Sequence, residues 1–195
     1  YEMHTSDWSS DVCSSDLPAR PTRHARPTRP TRPTRPNPSA RMDFMVQKAT
    51  ELGVSKIWPV QSEFGQVKQI REDKLRANMI EAAEQTERLD LPEIGAFTPL
   101  QTILDNWPED RVLVVCDETK SETGLARSML QLNRNLTEKA AILIGPEGGF
   151  SAPEREQLDR HPMCENISLG PRILRSDTAA MAALSIFQSN FGDWY

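Results

Sequence analysis

The chain has 195 residues, of which 37% are hydrophobic, and its formal net charge is −5. This length allows one ordinary domain plus additional segments. The sequence contains no run of 18 apolar residues, and its N-terminus has no apolar stretch of the signal-peptide type, so we expect neither a membrane span nor a secretory leader. The three cysteines form no C-x-x-C pair, and their odd number argues against a disulfide framework. We therefore expect a reduced, cytoplasmic protein.

The first 41 residues contain seven Arg, four acidic residues and a repeated Pro-Thr-Arg unit. Proline at every third position removes backbone donors and fixes φ, which predicts a disordered, low-complexity tail. An arm of this kind can also contact RNA phosphates. The string at 6–17 resembles the translation of a short-read sequencing adapter. We interpret residues 1–41 as an artefactual tail and residues 42–195 as the folded domain.

The folded domain is acidic and poor in histidine. With the tail set aside, 16 basic and 24 acidic residues remain in residues 42–195, which gives a net charge near −8. A chain of this length can bury a core of its own. Its single histidine, His161, argues against a Ser-His-Asp triad and against a metal site built from several histidines. We predict that the protein uses no metal.

Hydrophobic periodicity predicts helices and strands that alternate along the domain. A helix is predicted over 42–52 and stops at Gly53, which suits a C-terminal cap. Ser151 and Glu154 have the pattern of a capping box at the start of a later helix. The other predicted elements are, in chain order, a strand at 56–60, a helix at 71–89, a buried strand at 111–118, a helix at 121–132, a buried strand within 139–149, a strand at 164–170 and a helix at 176–192.

This alternation, with short connections, predicts an α/β domain with a mainly parallel sheet. In such sheets, ligands bind outside the carboxyl ends of the strands. Two predicted strands end at a Gly-Pro dipeptide, one beginning at Gly145 and the other at Gly170. We call residues 145–149 the first bend and residues 170–175 the second bend. We expect the two bends to form two walls of one pocket.

The composition of the bends favours a nucleoside ligand. Glycines let backbone donors and acceptors approach a ligand closely, and apolar neighbours suit the faces of a base. No phosphate-binding glycine motif is present, and the carboxylate of Glu147 would repel phosphate, so we expect a neutral or cationic nucleoside. Ordinary tight strand-to-helix turns are the alternative interpretation. The candidate residues are Leu143, Ile144, Gly145, Gly148 and Gly149 at the first bend, and Leu169, Gly170, Ile173 and Leu174 at the second.

Two arginines stand in the second bend, Arg172 and Arg175. Arginine is the preferred side chain for phosphate and for planar polar groups, so both are candidates for substrate contact. The alternative is a pair of surface arginines near Asp177 that contribute little.

Four motifs in order resemble the RsmE family of methyltransferases over roughly residues 41–194. They are "MDFMVQKATELGVSKIWPVQSE", "EAAEQTERLDLPEI", "LIGPEGGFSAPE" and "LGPRILRSDTAAMAAL". The resemblance implies methylation of N3 of a uridine in small-subunit (16S) ribosomal RNA with S-adenosylmethionine as methyl donor. It also implies a SPOUT-type fold with a C-terminal trefoil knot, and a homodimer with its active site at the subunit interface.

On this resemblance, residues 143–149 and 169–174 form the cofactor pocket and Arg175 faces the uridine. The uracil N3–H must lose its proton before N3 attacks, and Arg175 or Arg172 can stabilise the resulting anion. Glu147 is a candidate general base, with ordering of the loop as its alternative role. Glu84, Gln85 and Arg88 match a family segment, but they equally fit a polar helix face.

Family members carry a PUA-like domain and a strand before the first helix. Here the Pro-rich tail occupies that place, and it cannot serve as a strand. We therefore expect one exposed sheet edge, better binding of cofactor than of RNA, and low activity on ribosomes. A ribose 2′-O-methyltransferase of the same class and a non-catalytic nucleotide-binding fragment are the alternative functions.

Overall fold

The computed structural model of this chain describes residues 38–117, 127–128 and 140–194. The account below concerns the compact unit Pro36–Tyr195. Its helices are α1 Pro38–Glu51, α2 Glu72–Gln85, α3 Leu100–Asp105, α4 Ala152–Arg160 and α5 Ser176–Phe191. Its strands are β1 Lys56–Ile57, β2 Val60–Gln61, β3 Glu93–Ile94, β4 Thr98–Pro99, β5 Val112–Cys116, β6 Arg127–Ser128, β7 Ala140–Ile144 and β8 Cys164–Ser168.

A four-stranded parallel sheet forms the centre of the fold, with the strand order β6-β8-β5-β7. Two further parallel pairs, β1 with β3 and β2 with β4, lie in the N-terminal half. Helix α2 lies between β2 and β3, and helix α4 lies between β7 and β8, as crossover connections between parallel strands require. The prediction of an α/β domain with a mainly parallel sheet is confirmed.

Each face of the four-stranded sheet carries its own hydrophobic core. Side chains alternate between the faces of a strand, so β5 contributes to both cores. Leu113 and Val115 pack with Phe150, α3 and α4 on one face. Val114 and Cys116 pack with α5 on the other face. The central strand is therefore buried on both sides, which explains its unbroken apolar sequence.

A third apolar cluster joins the first two helices to the short strands. Val46 of α1 packs against Leu75 and Met79 of α2, with Ile57 and Ile94 beside them. These residues recur at helical spacing on α1 and α2, and the opposite face of α2 is exposed and charged. This cluster packs α1 and α2 against the short strands β1 and β3, and these elements form a separate layer in the N-terminal half.

Arg88 connects the ends of α1 and α2. Its guanidinium donates to the carbonyl oxygens of Thr50 and Val54, at 2.7 and 2.8 Å, and pairs with Asp90. The helix predicted over 71–89 stops at Gln85, because the chain then turns through Glu87, whose φ is +56°, and brings Arg88 to these carbonyls. Arg88 thus satisfies carbonyl groups that would otherwise be left at a helix end.

Several elements differ from the sequence predictions. The helix predicted over 42–52 begins at Pro38, since proline is tolerated in the first helical turn, so α1 includes residues assigned above to the tail. The strand predicted at 56–60 is divided around Pro59, which has no N–H to donate to a sheet. Three elements between residues 93 and 105 were not predicted, because β3, β4 and α3 are too short for a periodic signal.

The helix predicted over 121–132 falls mostly outside the described residues. Its described part, Arg127–Ser128, is strand β6 and pairs in parallel with Ile167 and Ser168 of β8. The helix prediction is wrong at these two residues, because pairing with a neighbouring strand overrides local helical preference.

None of the helices in the described ranges is long and apolar enough to cross a membrane. Within the same ranges, no group of three acidic, cysteine or histidine side chains is placed to hold a metal ion.

We predict that Arg88→Met lowers the free energy of unfolding by about 2–4 kcal/mol, because two charge-assisted hydrogen bonds to buried carbonyl groups are lost. Chemical denaturation followed by circular dichroism measures the change. Arg71→Met is the matched control, since Arg71 pairs only with its neighbour Asp73 on the exposed surface. Equal stability of the two variants would contradict this role of Arg88.

We also predict that Cys116 and Cys164 resist alkylation by iodoacetamide in the folded protein at neutral pH. Burial raises the pKa of both thiols to about 12, and the negative charge of Asp159 adds to the effect at Cys164. Both thiols therefore stay protonated and unreactive. Peptide mass spectrometry after labelling, with and without denaturant, measures the difference, and rapid labelling of folded Cys116 would refute the prediction.

Candidate functional site

The two bends leave the sheet at the same edge. Ile144 of β7 and Ile167 of β8 both lie opposite Cys116 of β5, so these three residues form one row across the sheet. Adjacent strands lie about 4.8 Å apart, which separates the ends of β7 and β8 by about 10 Å. The chain enters the first bend directly after Ile144 and the second bend three residues after Ile167. The expectation that the bends lie side by side therefore matches the strand register.

The first bend is a tight turn held against the protein body. The N–H of Gly149 donates to the carbonyl oxygen of Pro146 at 2.8 Å, which closes the turn. Phe150 follows and is buried in the core. A Cβ at Gly148 would lie 2.9 Å from the Cβ of Phe64, so only glycine fits this approach without displacement. The backbone of the bend is thereby fixed in place.

Helix α4 begins immediately after the first bend and anchors it. Ser151 and Glu154 form the predicted capping box, in which each side chain accepts a hydrogen bond from the backbone of the other. The second carboxylate oxygen of Glu154 accepts from the N–H of Glu63 at 2.8 Å. The loop after β2 is therefore tied to the same turn.

The second bend is more open than the first. Gly170 has a φ of +111°, a conformation that favours glycine, and its N–H donates to the hydroxyl of Ser168 at 3.1 Å. No atom lies within 4 Å of the position that a Cβ of Gly170 would occupy. Ile173 is 75% exposed, which is unusual for a large aliphatic side chain. This bend presents both empty space and uncovered apolar surface.

Glu147 links the two bends. Its carboxylate forms an ion pair with Arg41 of α1 and accepts a hydrogen bond from the hydroxyl of Ser176 at 3.4 Å. Ser176 is the first residue of α5, directly after the second bend. One carboxylate thus holds together the first bend, the start of α5 and the start of α1.

The pKa of Glu147 is lower than that of an ordinary glutamate. Partial burial opposes ionisation, but hydrogen bonds from its own backbone N–H, Arg41 and Ser176, together with the charge of Arg41, more than offset this cost. A carboxylate with a lowered pKa is a weaker proton acceptor. The geometry therefore fits an anchoring role better than that of a general base.

Arg172 and Arg175 are exposed, and neither forms an ion pair with any of the residues that the structure describes. Asp177, the acidic neighbour considered as their partner, accepts instead from the N–H of Thr178 at 2.8 Å. Both guanidinium groups are therefore available to a ligand at the second bend.

Asp117 stands at the end of β5, between the two bends, and the sequence reasoning missed it. It is almost fully buried and pairs with the guanidinium of Arg155 on α4 at 3.0 Å. The sequence feature that could have identified Asp117 is an acidic residue directly after the apolar run of β5. Arg41 was missed for a different reason, since it was assigned to the tail. Its partner lies 106 residues away.

The polar residues of the second motif do not join this edge. Arg88 binds backbone carbonyls at the ends of α1 and α2, as described above, and Glu84 and Gln85 are exposed on α2. Glu84 and Gln85 therefore fit the alternative of a polar helix face, whereas Arg88 lies beyond the end of α2 and does not belong to that face.

Two relatives of this chain are named ribosomal RNA small subunit methyltransferase E. The chain is 33% identical over 141 residues to ribosomal RNA small subunit methyltransferase E of Rickettsia conorii, covering 72% of this chain and 56% of that protein. It is 37% identical over 166 residues to the protein of the same name from Buchnera aphidicola subsp. Schizaphis graminum, covering 78% and 62%. The chain therefore spans about three fifths of the length of these relatives.

A solved structure of ribosomal RNA small subunit methyltransferase E from Neisseria gonorrhoeae, bound to S-adenosylmethionine, has a similar fold. The TM-score is 0.72 at 30% identity, covering 80% of this chain and 63% of that one. A family model described as an RNA methyltransferase domain matches residues 35–188, which include both bends and the Arg41–Glu147 pair. The resemblance to the RsmE family is thereby confirmed, and the chain belongs to the RNA methyltransferase domain family.

Proposed function

We propose that this chain transfers a methyl group from S-adenosylmethionine to N3 of a uridine in 16S ribosomal RNA. The observation that carries the proposal is that two glycine-containing bends leave the same edge of one parallel sheet, with Glu147 of the first bend accepting a hydrogen bond from Ser176 directly after the second. Relatives with the same fold are named as small-subunit rRNA methyltransferases, and one of them binds this cofactor. The match covers only part of each relative, so substrate and activity are inferences for this chain.

The residues at the two bends suit S-adenosylmethionine. The open space at Gly170 and the exposed side chain of Ile173 offer an approach for a nucleoside and an apolar surface to cover it. The side chain of Leu143 is buried in the core, so this residue would contribute through its backbone. When bound, the cofactor supplies an activated methyl group on a sulfonium, and no metal is needed. The proposed cofactor contacts are Leu143, Ile144, Gly145, Gly148 and Gly149 with Leu169, Gly170, Ile173 and Leu174.

Arg175 and Arg172 are the proposed catalytic contacts to the base. The proton of uracil N3 passes to solvent, which leaves negative charge on the neighbouring carbonyl oxygens, and a guanidinium beside them lowers the cost of that step. Both side chains are free to turn toward a base, because no described residue pairs with them. Holding N3 in line with the methyl group provides further acceleration.

We propose that Glu147 acts as a positioning residue and not as the base. Its carboxylate is held by Arg41 and Ser176, so its displacement would release the first bend from the start of α5. The trefoil knot, the homodimer with a shared active site and the cytoplasmic location stay predictions that rest on the family resemblance.

We predict that Glu147→Gln weakens S-adenosylmethionine binding several-fold and lowers kcat by less than about tenfold. Loss of a true general base would instead reduce kcat by about 10²–10⁴-fold with little change in binding. Calorimetry and single-turnover methylation separate the two results. Glu156→Gln is the matched control, because Glu156 pairs only with Arg160 on the exposed face of α4.

We predict that Arg175→Ala reduces the rate of methyl transfer by about 10²–10³-fold, as expected when one donor to a developing anion is removed. Arg172→Ala tests the second arginine, and S-adenosylmethionine affinity should change little in either variant. Arg160→Ala, on the exposed surface of α4, controls for a general loss of positive charge. Full activity of both the Arg175→Ala and Arg172→Ala variants would show that neither arginine contributes to methyl transfer.

The decisive test is nucleoside mass spectrometry of unmodified small ribosomal subunits incubated with excess protein and S-adenosylmethionine. Appearance of 3-methyluridine supports the proposal. A 2′-O-methylated nucleoside would instead favour the ribose methyltransferase alternative. Failure to bind S-adenosylmethionine in preference to ATP and NAD, measured by calorimetry, would favour a non-catalytic nucleotide-binding fragment.

A further inference from the structure

Phe64 is a half-exposed aromatic residue that lies against the first bend. Its side chain is 48% exposed, and it belongs to none of the three hydrophobic clusters described above. Its Cβ, Cγ and Cδ2 atoms lie 2.9, 3.6 and 3.7 Å from the position that a Cβ of Gly148 would occupy. The ring therefore starts at the surface of the glycine bend and leaves a large part of its own surface uncovered.

The loop that carries Phe64 is fixed on both sides of this residue. The N–H of Glu63 donates to the carboxylate of Glu154 at 2.8 Å. The N–H of Gly65 donates to the carbonyl oxygen of Ser62 at 3.1 Å and closes a turn. Because Glu154 also caps α4, the same carboxylate ties the loop to the helix that follows the first bend. An aromatic side chain on such a fixed loop loses little freedom when a ligand covers it.

Two other exposed aromatic residues already have partners within this chain. The ammonium of Lys48 lies 5.8 Å from the ring centroid of Phe44, and that of Lys56 lies 5.0 Å from the ring of Trp58. The indole N–H of Trp58 also donates to a backbone carbonyl at 3.0 Å. Across the described ranges, neither a cation nor a second ring lies over Phe64. Packing within the chain does not explain why this ring stays uncovered.

A short series of contacts connects Phe64 to the arginines of the second bend. The ring contacts Gly148, and the preceding residue, Glu147, accepts the hydrogen bond from Ser176. Arg175 directly precedes Ser176 and is exposed. The aromatic ring and the guanidinium group thus flank one hydrogen bond of the proposed site.

An aromatic ring beside a guanidinium group suits a single unstacked base of RNA. Proteins that recognise individual RNA bases lay them on aromatic side chains and read their edges with polar groups. A base that leaves its stack loses contact on both faces, and an aromatic ring restores contact on one of them. Phe64 comes from the loop after β2 and not from either bend, so it lies outside the proposed cofactor contacts.

We propose that the uracil that receives the methyl group stacks on the ring of Phe64. This inference rests on the proposed function and adds to it the residue that holds the unstacked base. Stacking occupies one face of the uracil and leaves its edge, with N3 and both carbonyl oxygens, to Arg175 and Arg172. Phe64 is thus a substrate-contact residue that contributes to binding and takes no part in proton transfer.

The first test is Phe64→Leu, which keeps an apolar side chain and removes the ring. We expect KM for unmodified small ribosomal subunits to rise at least about fivefold, the low end of the effect of losing one stacked base. The value of kcat and the affinity for S-adenosylmethionine should change little, because stacking stabilises ground state and transition state alike. Phe64→Tyr should restore KM. Phe44→Leu is the matched control, since Phe44 is an exposed phenylalanine on α1 that contacts Lys48.

A second measurement needs no methyl transfer. The probe is a short oligonucleotide of 5-iodouridine, which on irradiation joins uracil C5 to a stacked aromatic ring with loss of hydrogen iodide. Peptide mass spectrometry should find the cross-link at Phe64 in the original protein and in Phe44→Leu, and none at this position in Phe64→Leu. If Phe64→Leu does not fold by circular dichroism, Phe64→Met replaces it.

Either an unchanged KM in Phe64→Leu or the absence of a cross-link at Phe64 overturns the proposal. A loss of S-adenosylmethionine affinity that matches the rise in KM also overturns it, because the ring would then contact the cofactor. A cross-link at Phe64 in protein that forms no 3-methyluridine supports the base contact and counts against the proposed function alone.

Discussion

The parallel pairing of β5 with both β7 and β8 is the constraint on which the rest of the site depends. Because β5 is buried on both faces and paired on both edges, its register fixes where its neighbours end. The two bends then leave the sheet at the same edge, about 10 Å apart. Any shift of register would move one bend along the strand direction and separate the two walls of the proposed cofactor pocket.

The contacts of Glu147 hold the first bend in a fixed position beside the start of α5. The bends themselves are short loops, and the second presents exposed surface at Gly170 and Ile173. A single carboxylate, held by Arg41 and Ser176, attaches the first bend to the helices on either side of it. This use of the acidic side chain as a support leaves Arg172 and Arg175 as charges of the second bend that no described residue pairs. A positioning role for Glu147, with Arg172 and Arg175 as contacts to the base, agrees with a reaction in which negative charge forms on the uracil.

The N-terminal strands form separate parallel pairs because no described strand connects them to β7. Among the described strands, β7 stands at the end of the strand order, next to the place where the sequence predicts an exposed sheet edge. Residues of α1 and α5 line an apolar cavity of about 460 Å³ beside β7.

The sequence by itself determined the alternation of helices and parallel strands, the capping box at Ser151 and the two glycine-containing bends, because these signals lie within a few neighbouring residues. Arg172 and Arg175 were identified in the same way. Only the tertiary structure decided the strand order, the short strands around Pro59 and the partner of Glu147. The Arg41–Glu147 pair joins residues 106 positions apart. Contacts of this kind depend on how buried surfaces pack, and no local pattern of residues encodes them.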